Sequence, residues 1–216
     1  MVSIEFWRLV MPAFMAGLRE SLQLALVATA VAFPLGCFVG VGRIMPITVV
    51  RKLCDLYINL VRSTPIPVIF IFLFFALPDV GLRFSAFVCA SAGLGLYMAS
   101  YVAEAVRSGI NAVPSGYIEA ARALGLSERT VVGRILLPQA IKAVIPTLGN
   151  LSVDLIKNTS IAYTISVVEL TGTAVQQVTM LAKPIPIFIL AVLGYAVLTF
   201  PTGAAFRALE RNFQYR

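Results

Sequence analysis

The stretch SGYIEAARALGLSERTVVGRILLP, residues 115–138, organises this chain, because it separates two apolar halves of the sequence. Ser115 and Ser127 are of a residue type that favours helix N-caps, and Gly125 suits the left-handed conformation that ends a helix. Glu128 would place negative charge at the start of a second helix, and Pro138 is expected to limit that helix. The stretch therefore predicts a polar helical hairpin.

The composition is that of a polytopic membrane protein. Of the 216 residues, 59% are hydrophobic and only 12% are charged, which lies outside the range of ordinary soluble domains. The net charge of +7 comes from 17 basic and 10 acidic residues, but the basic residues are scattered between apolar runs, so no nucleic-acid partner is predicted. The chain has no histidine, and its three cysteines lie in or beside apolar runs. No metal site is predicted.

Hydropathy predicts an all-α fold with five transmembrane helices in one domain, residues 1–216. The expected spans are residues 22–41, 56–78, 84–106, 143–170 and 185–206, and Pro34 is expected to kink the first. The second span is expected to be interrupted near its start, where RSTP occupies residues 62–65. Residues 171–184 are predicted to be a loop.

The third span carries a row of small residues. These recur every four positions and predict a seam for close helix packing: Ser91, Gly95, Ala99 and Ala103. Near the end of this span, Glu104 precedes Arg107 by three residues, a spacing that predicts an ion pair on one helix.

The fourth span is the most polar. Asn150, Asp154 and Asn158 recur every four residues, and Lys157 follows Asp154 by three, so the four share one broad helical face. They could form a satisfied cluster between helices, or they could line a path across the membrane. Arg62 in the second span is open to the same two interpretations, as an anchor at the membrane interface or as part of a pathway.

The distribution of basic residues predicts the orientation. With the N-terminus outside and the C-terminus inside, cytoplasmic segments hold 11 basic residues, Arg216 among them, and outer segments hold 4. This N-out/C-in arrangement follows the positive-inside rule. Residues 115–138 would then be cytoplasmic, between helices 3 and 4.

The central stretch resembles the EAA motif of the permease subunits of bacterial ABC importers, which is EAA, three residues, G, nine residues, I, one residue, LP. The match is carried by Glu119, Ala120, Ala121, Gly125, Ile135, Leu137 and Pro138. Three other segments resemble the polar amino acid branch (His/Arg/Lys/Gln/Glu/opine) of that family. They are VRSTPIPVIF (61–70), YVAEAVRSGINAVPSGYIEAARALGLS (101–127), and LPQAIKAVIPTLGN (137–150) with LIKNTSIA (155–162).

The resemblance implies a role for the central stretch as a cytoplasmic coupling helix. Its contact with an ATP-hydrolysing subunit would involve Glu119, Ala120, Ala121, Arg122, Gly125 and Pro138. Small alanines permit a close approach, and glycine makes the turn. Without the resemblance, the same residues describe a surface hairpin whose alanines suit helix propensity. Arg62, Asn150, Asp154, Lys157 and Asn158 are the candidate pathway residues.

The resemblance also implies partners in a bacterial cytoplasmic (inner) membrane. No G-x-x-x-x-G-K-[ST] motif occurs, so the chain is expected to bind no cofactor itself. ATP and Mg would belong to two ABC ATPase subunits. A second permease subunit, identical or related, an extracytoplasmic solute-binding protein and membrane lipid would be the other partners.

Three other classes of function remain open at this point. A secondary transporter or channel not driven by ATP would need its own coupling groups, and the chain has few candidates. A membrane enzyme would need a nucleophile and a base at defined spacing, which the sequence does not offer, so the chain is expected to be non-catalytic. A membrane scaffold would leave the EAA spacing unexplained.

Overall fold

The computed structural model describes residues 4–214, so Arg216 of the charge count lies outside the described residues. This range is built from nine α-helices with short 3-10 and π segments between some of them, and it contains no strand. The helices are α1 (Ile4–Gly42), α2 (Thr48–Ser63), α3 (Ile66–Ile71), α4 (Ala86–Asn111), α5 (Ser115–Ala123), α6 (Glu128–Val131), α7 (Leu137–Asn158), α8 (Leu170–Leu181) and α9 (Pro184–Gln214). The prediction of an all-α fold is confirmed.

Four helical stretches are long and apolar enough to cross a membrane: Ile4–Gly42, Ala86–Asn111, Glu128–Ile165 and Pro184–Phe213. A fifth span results if Thr48–Ser63 and Ile66–Val80, which meet at a bend of 102°, are counted together. This architecture agrees with the predicted polytopic fold. The N-out/C-in orientation stays a prediction.

Helix α1 is longer than the first predicted span, because it continues as one helix through Pro12 and Pro34. It packs along the small-residue row of α4. An added Cβ at Gly36 would stand 2.5 Å from Cβ of Val102, and one at Gly95 would stand 2.8 Å from Cβ of Val31. Only glycine lets the two backbones come so close, and the predicted packing seam is confirmed.

The second span is interrupted as predicted. Helix α2 ends at Ser63, and Thr64 and Pro65 are extended, with Pro65 starting the next helix. A residue before proline is disfavoured in the helical region, and proline suits the beginning of a helix. The chain therefore turns sharply beside Arg62.

Pro138 does not end the helix that follows the central turn, contrary to the prediction. Helix α6 passes through a π segment, Val132–Leu136, directly into α7. The N–H of Leu137 donates to the carbonyl of Val132, and Pro138 occupies the first turn of α7, where its missing N–H is tolerated. The result is helical chain from Glu128 to Asn158.

The prediction of a loop at residues 171–184 is wrong, since α8 occupies most of this segment. The fourth span ends earlier than residue 170, because a 3-10 segment follows Asn158 and Ser166 adopts a left-handed conformation, φ 67°. Glu169 then caps α8 by accepting hydrogen bonds from the backbone N–H groups of Thr171 and Gly172. Capping of this kind satisfies amides that have no partner inside the helix.

The core lies where α1, α3, α4 and α7 meet. Its largest fully buried side chains include Leu24, Phe70, Leu94 and Leu155. A second cluster joins the N-terminal part of α1 to α8 and α9 through Val10, Leu170 and Ile187. These two clusters position the polar surfaces described next.

Candidate functional site

The central segment forms the predicted hairpin. Gly125 has φ +72°, and its N–H donates to the carbonyl of Arg122 at 2.9 Å. Ser127 caps α6 as predicted, its Oγ accepting from the N–H of Thr130 at 3.3 Å. Ser115 is not a cap, since Pro114 takes the N-cap position and its carbonyl accepts from the N–H of Tyr117 at 3.2 Å.

Most of the predicted coupling residues present their side chains on the surface of this hairpin. Glu119, Ala120, Arg122, Gly125 and Pro138 are exposed. Ala121 differs, because it is only 3% exposed and packs inside the segment. Its small size therefore serves the close approach of α5 to its own neighbours, and it offers no surface to another protein.

An ion pair spans the turn. Nε of Arg122 lies 2.7 Å from Oε1 of Glu128, and Nη2 lies 3.2 Å from Oε2, which is the two-pronged geometry of the strongest arginine–carboxylate contacts. This hydrogen bonding lowers the pKa of the Glu128 carboxyl below its ordinary value. The same contact raises the pKa of Arg122.

A polar groove runs between α2, α4 and α7. One cavity of about 330 Å³ is lined by Arg62, Tyr101 and Glu104, among others. A second cavity of about 400 Å³ adjoins it, and the two share Tyr101 and Leu151. The second is lined by Tyr97, Met98, Tyr101, Leu151, Asp154, Lys157 and Asn158. The structure thus brings four of the five predicted pathway residues to one groove, all except Asn150.

Glu104 is the centre of a charge network at one end of this groove. Its Oε2 lies 2.5 Å from Nη1 of Arg43 and 3.7 Å from Nη1 of Arg62, and its Oε1 lies 3.6 Å from Nη1 of Arg107. Arg43 also contacts Asp55 at 2.6 Å. The predicted Glu104–Arg107 pair is confirmed, but it is one contact of several.

The polar residues of α7 line two cavities. Nζ of Lys157 lies 2.8 Å from Oδ1 of Asp154, and both side chains are about half exposed. Asn158 donates from Nδ2 to Sδ of Met98 at 3.8 Å. Asn150 lies instead in a neighbouring cavity of about 500 Å³ between α7 and α9, which Asp154 and Lys157 also line.

Two aromatic residues of the groove were missed by the sequence analysis. The hydroxyl oxygens of Tyr97 and Tyr101 are 2.9 Å apart, and the guanidinium of Arg62 lies 5.0 Å from the centre of the Tyr101 ring. Their spacing of four residues, with Glu104 three further on, placed all three on one face of α4. That pattern could have identified them.

A buried carboxylate was also missed. Glu169 is fully buried and accepts hydrogen bonds from the hydroxyl of Tyr195 at 2.6 Å and from Ser21 at 3.4 Å. Ser21 in turn accepts from the N–H of Leu170 at 3.0 Å. Together with the cap of α8, these bonds join α1, α8 and α9. Ser21 is 148 residues away in sequence, so local patterns did not reveal it.

Comparison with known proteins bears on the role of these features. The "Probable glutamine ABC transporter permease protein GlnM" of Bacillus subtilis is 35% identical over 203 residues, covering 93% of each chain. The "Nopaline transport system permease protein NocM" of Agrobacterium fabrum is also 35% identical, over 88% of this chain and 83% of its own length.

Solved structures show the same fold. A structure described as "an amino acid ABC transporter with histidines" superposes with a TM-score of 0.91 at 28% identity, covering 98% of this chain and 99% of the other. An inward-facing MetNI methionine ABC transporter superposes with a TM-score of 0.72 at 18% identity over 98% and 99% of the chains. The latter likeness concerns the fold alone.

A family model agrees with both comparisons. The model described as "Binding-protein-dependent transport system inner membrane component" matches residues 32–215. Those residues include the central hairpin and the helices that line the groove. The chain therefore belongs to the family of binding-protein-dependent transport system inner membrane components, the permease family that its EAA resemblance predicts.

Proposed function

We propose that this chain is the transmembrane permease subunit of an ATP-driven importer for polar amino acids or related compounds such as opines. It forms part of the translocation pathway and receives the motion of an ATPase through residues 115–138. The observation that carries this proposal is the helical connection from Glu128 to Asn158. That connection links the exposed turn to the polar groove without an intervening loop.

The length of this connection suits the transmission of motion. Thirty-one helical residues, from Glu128 to Asn158, extend for about 46 Å, which exceeds the thickness of the hydrocarbon layer. A displacement at the Gly125 turn would therefore be transmitted to Asp154 and Asn158, because no flexible loop lies between to absorb it. ATP acts through such a movement only if its binding favours one of two conformations.

The exposed face of α5 suits contact with another protein. Leu124 is 80% exposed and Tyr117 is 57% exposed, and aromatic residues are enriched at protein interfaces. Glu119 and Arg122 supply a charged rim, and Ala120 permits close approach. We assign this surface to a groove of the ATPase subunit.

The groove supports passage of a zwitterionic substrate. It holds cationic groups on Arg62 and Lys157, anionic groups on Glu104 and Asp154, and the tyrosine hydroxyls. Ionisable groups at membrane depth are costly and normally face a water-filled path or a protein interior. The relatives named for glutamine and nopaline fit this class of substrate.

The partners follow from this assignment. Two ABC ATPase subunits would hold ATP and Mg, and an extracytoplasmic solute-binding protein would deliver substrate in the bacterial inner membrane. The groove is open along one side of the chain, so a second permease subunit, identical or related, would close it across a two-fold axis. The permease itself is non-catalytic.

Substitution at Gly125 tests the coupling role. Gly125→Val places a β-branched residue at φ +72°, where the backbone is strained, although nothing lies within 4 Å of the added Cβ. The matched control is Gly81→Val, which has φ +86° and equally open surroundings but lies outside residues 115–138. Strain of ~1–3 kcal/mol is expected in both variants.

The readouts are co-purification of the ATPase and ATP-dependent uptake by the reconstituted complex. Gly125→Val should lose both by tenfold or more, whereas Gly81→Val should retain them. Normal coupling in Gly125→Val, or equal loss in Gly81→Val, would contradict the proposal. ATP-independent uptake by the purified chain would instead support a secondary transporter.

A further inference from the structure

An apolar crevice lies on the side of α4 opposite the polar groove. It has a volume of about 280 Å³ and is formed by α1, α4 and α7. Every lining residue is apolar, including Val41 on α1, Val106 and Ile110 on α4, and Ile141 and Val144 on α7. The proposed transport pathway uses none of these residues.

The crevice opens onto the surface of helices that are apolar enough to span the membrane. Val41 is 40% exposed and Ile141 is 44% exposed, whereas Ala140 and Val144 at its floor are buried. Water would find no hydrogen-bond partner in such a site. Even an enclosed apolar cavity of about 150 Å³ stays dry and binds apolar ligands. Hydrocarbon is therefore the occupant that the lining favours.

Two basic residues are close in sequence to lining residues of the crevice. Arg134 precedes the lining residue Leu137 by three positions, and Lys142 follows the lining residue Ile141. Both side chains are exposed, and neither forms an ion pair within residues 4–214. In the predicted orientation this part of the chain enters the membrane from the cytoplasm, and basic pockets between helices on that side bind anionic lipid headgroups.

We propose that the crevice binds an anionic phospholipid, with an acyl chain against Val106 and Ile141 and the headgroup phosphate held by Arg134 and Lys142. The apolar lining and the two neighbouring cations, which form no ion pair among the described residues, match the two chemical parts of such a lipid. The site goes beyond the proposed transport role. The experiment that tests this site measures lipid binding, so its outcome does not depend on coupling to an ATPase.

The experiment is native mass spectrometry of the purified full chain with equal amounts of phosphatidylglycerol and phosphatidylcholine carrying the same acyl chains. The wild type should retain one phosphatidylglycerol, preferred by roughly five-fold for each basic residue that contacts it. Ile141→Trp fills the crevice and should reduce retention at least five-fold. Val192→Trp, the same kind of change at a 67% exposed position on α9, should leave retention unchanged.

A second pair of variants tests the headgroup. Arg134→Gln with Lys142→Gln should remove the preference for phosphatidylglycerol while phosphatidylcholine still binds. Arg51→Gln with Lys52→Gln removes two exposed basic residues from α2, a helix that contributes no lining residue to the crevice, and should keep the preference. Equal effects of the two double variants would show general charge attraction and overturn the assignment of the headgroup.

The alkylation rate of Cys37 tests the crevice in the wild-type chain, without any substitution. It lines the crevice and is exposed, whereas Cys54 and Cys89 are buried. Phosphatidylglycerol added to the chain in delipidated detergent should slow alkylation of Cys37 by N-ethylmaleimide. Unchanged alkylation, wild-type retention in Ile141→Trp, or equal loss in Val192→Trp would overturn the crevice as the binding site.

Discussion

Replacing Glu169 by leucine should destabilise the helix bundle strongly, because the carboxylate is the acceptor for several buried and partly buried donors. The N–H groups of Thr171 and Gly172 donate to it at 2.8 and 2.7 Å, and the hydroxyl of Tyr195 donates at 2.6 Å. In the leucine variant the Tyr195 hydroxyl keeps its contact with Oγ1 of Thr171 at 2.9 Å. The two amides begin α8 and have no acceptor inside the helix.

The magnitude follows from these two orphaned amides. A buried donor left without an acceptor costs about 1–3 kcal/mol, so the pair should lower the free energy of unfolding by roughly 2–6 kcal/mol. Leucine recovers little by hydrophobic transfer, because in the SDS-unfolded chain it is also surrounded by apolar detergent tails. Glu169→Gln keeps one acceptor oxygen and should lose about half as much.

The measurement is SDS-induced unfolding of the purified full chain, followed by far-ultraviolet circular dichroism. Glu20→Leu is the matched control, since Glu20 is only partly exposed and has no hydrogen-bond or ion-pair partner among the described residues. That variant should stay within about 0.5 kcal/mol of wild type. A Glu169→Leu variant no less stable than Glu20→Leu would refute the capping role.

Two further predictions concern the packing seam and the turn. Gly36→Ala would set its Cβ 2.5 Å from Val102 and should lower the free energy of unfolding by about 1–3 kcal/mol. The control Gly133→Ala has open surroundings and should be neutral or stabilising. Equal effects of the two variants would contradict close packing at Gly36. Since hydrogen bonding lowers the folded-state pKa of Glu128, the Arg122–Glu128 contribution should be present at neutral pH and lost as the pH falls through that lowered pKa. Arg122→Gln should raise the Glu128 pKa in a carboxyl-carbon NMR titration, and an unchanged value would count against the pair.

Much of the central hairpin was predictable, because turns and caps depend on residues close in sequence. Gly125 adopts the left-handed conformation and Ser127 caps α6 as its residue type indicates. The cap assigned to Ser115 was wrong because the carbonyl of Pro114, one residue earlier, accepts the first helical hydrogen bond. Neighbouring candidates of this kind are not separated by local preference alone.

The candidate groove was predictable only in part. The repeat of polar residues on α7 indicated Asp154, Lys157 and Asn158, since helical periodicity is a local property. The rotation of α7 relative to α4 and α9 placed Asn150 in a different cavity. The same rotation brought Tyr101 of α4 into one cavity with Asp154, Lys157 and Asn158. That rotation depends on packing between helices, which periodicity does not encode.

The sequence by itself determined the helical class, the apolar stretches that could span a membrane and the exposed turn at Gly125, because hydrophobicity and backbone preferences act over short distances along the chain. Only the tertiary structure decided that Ala121 is buried and that Glu169, besides capping α8, joins α8 to α1 and α9. Both depend on groups brought together by folding, and for Glu169 one partner lies 148 residues away.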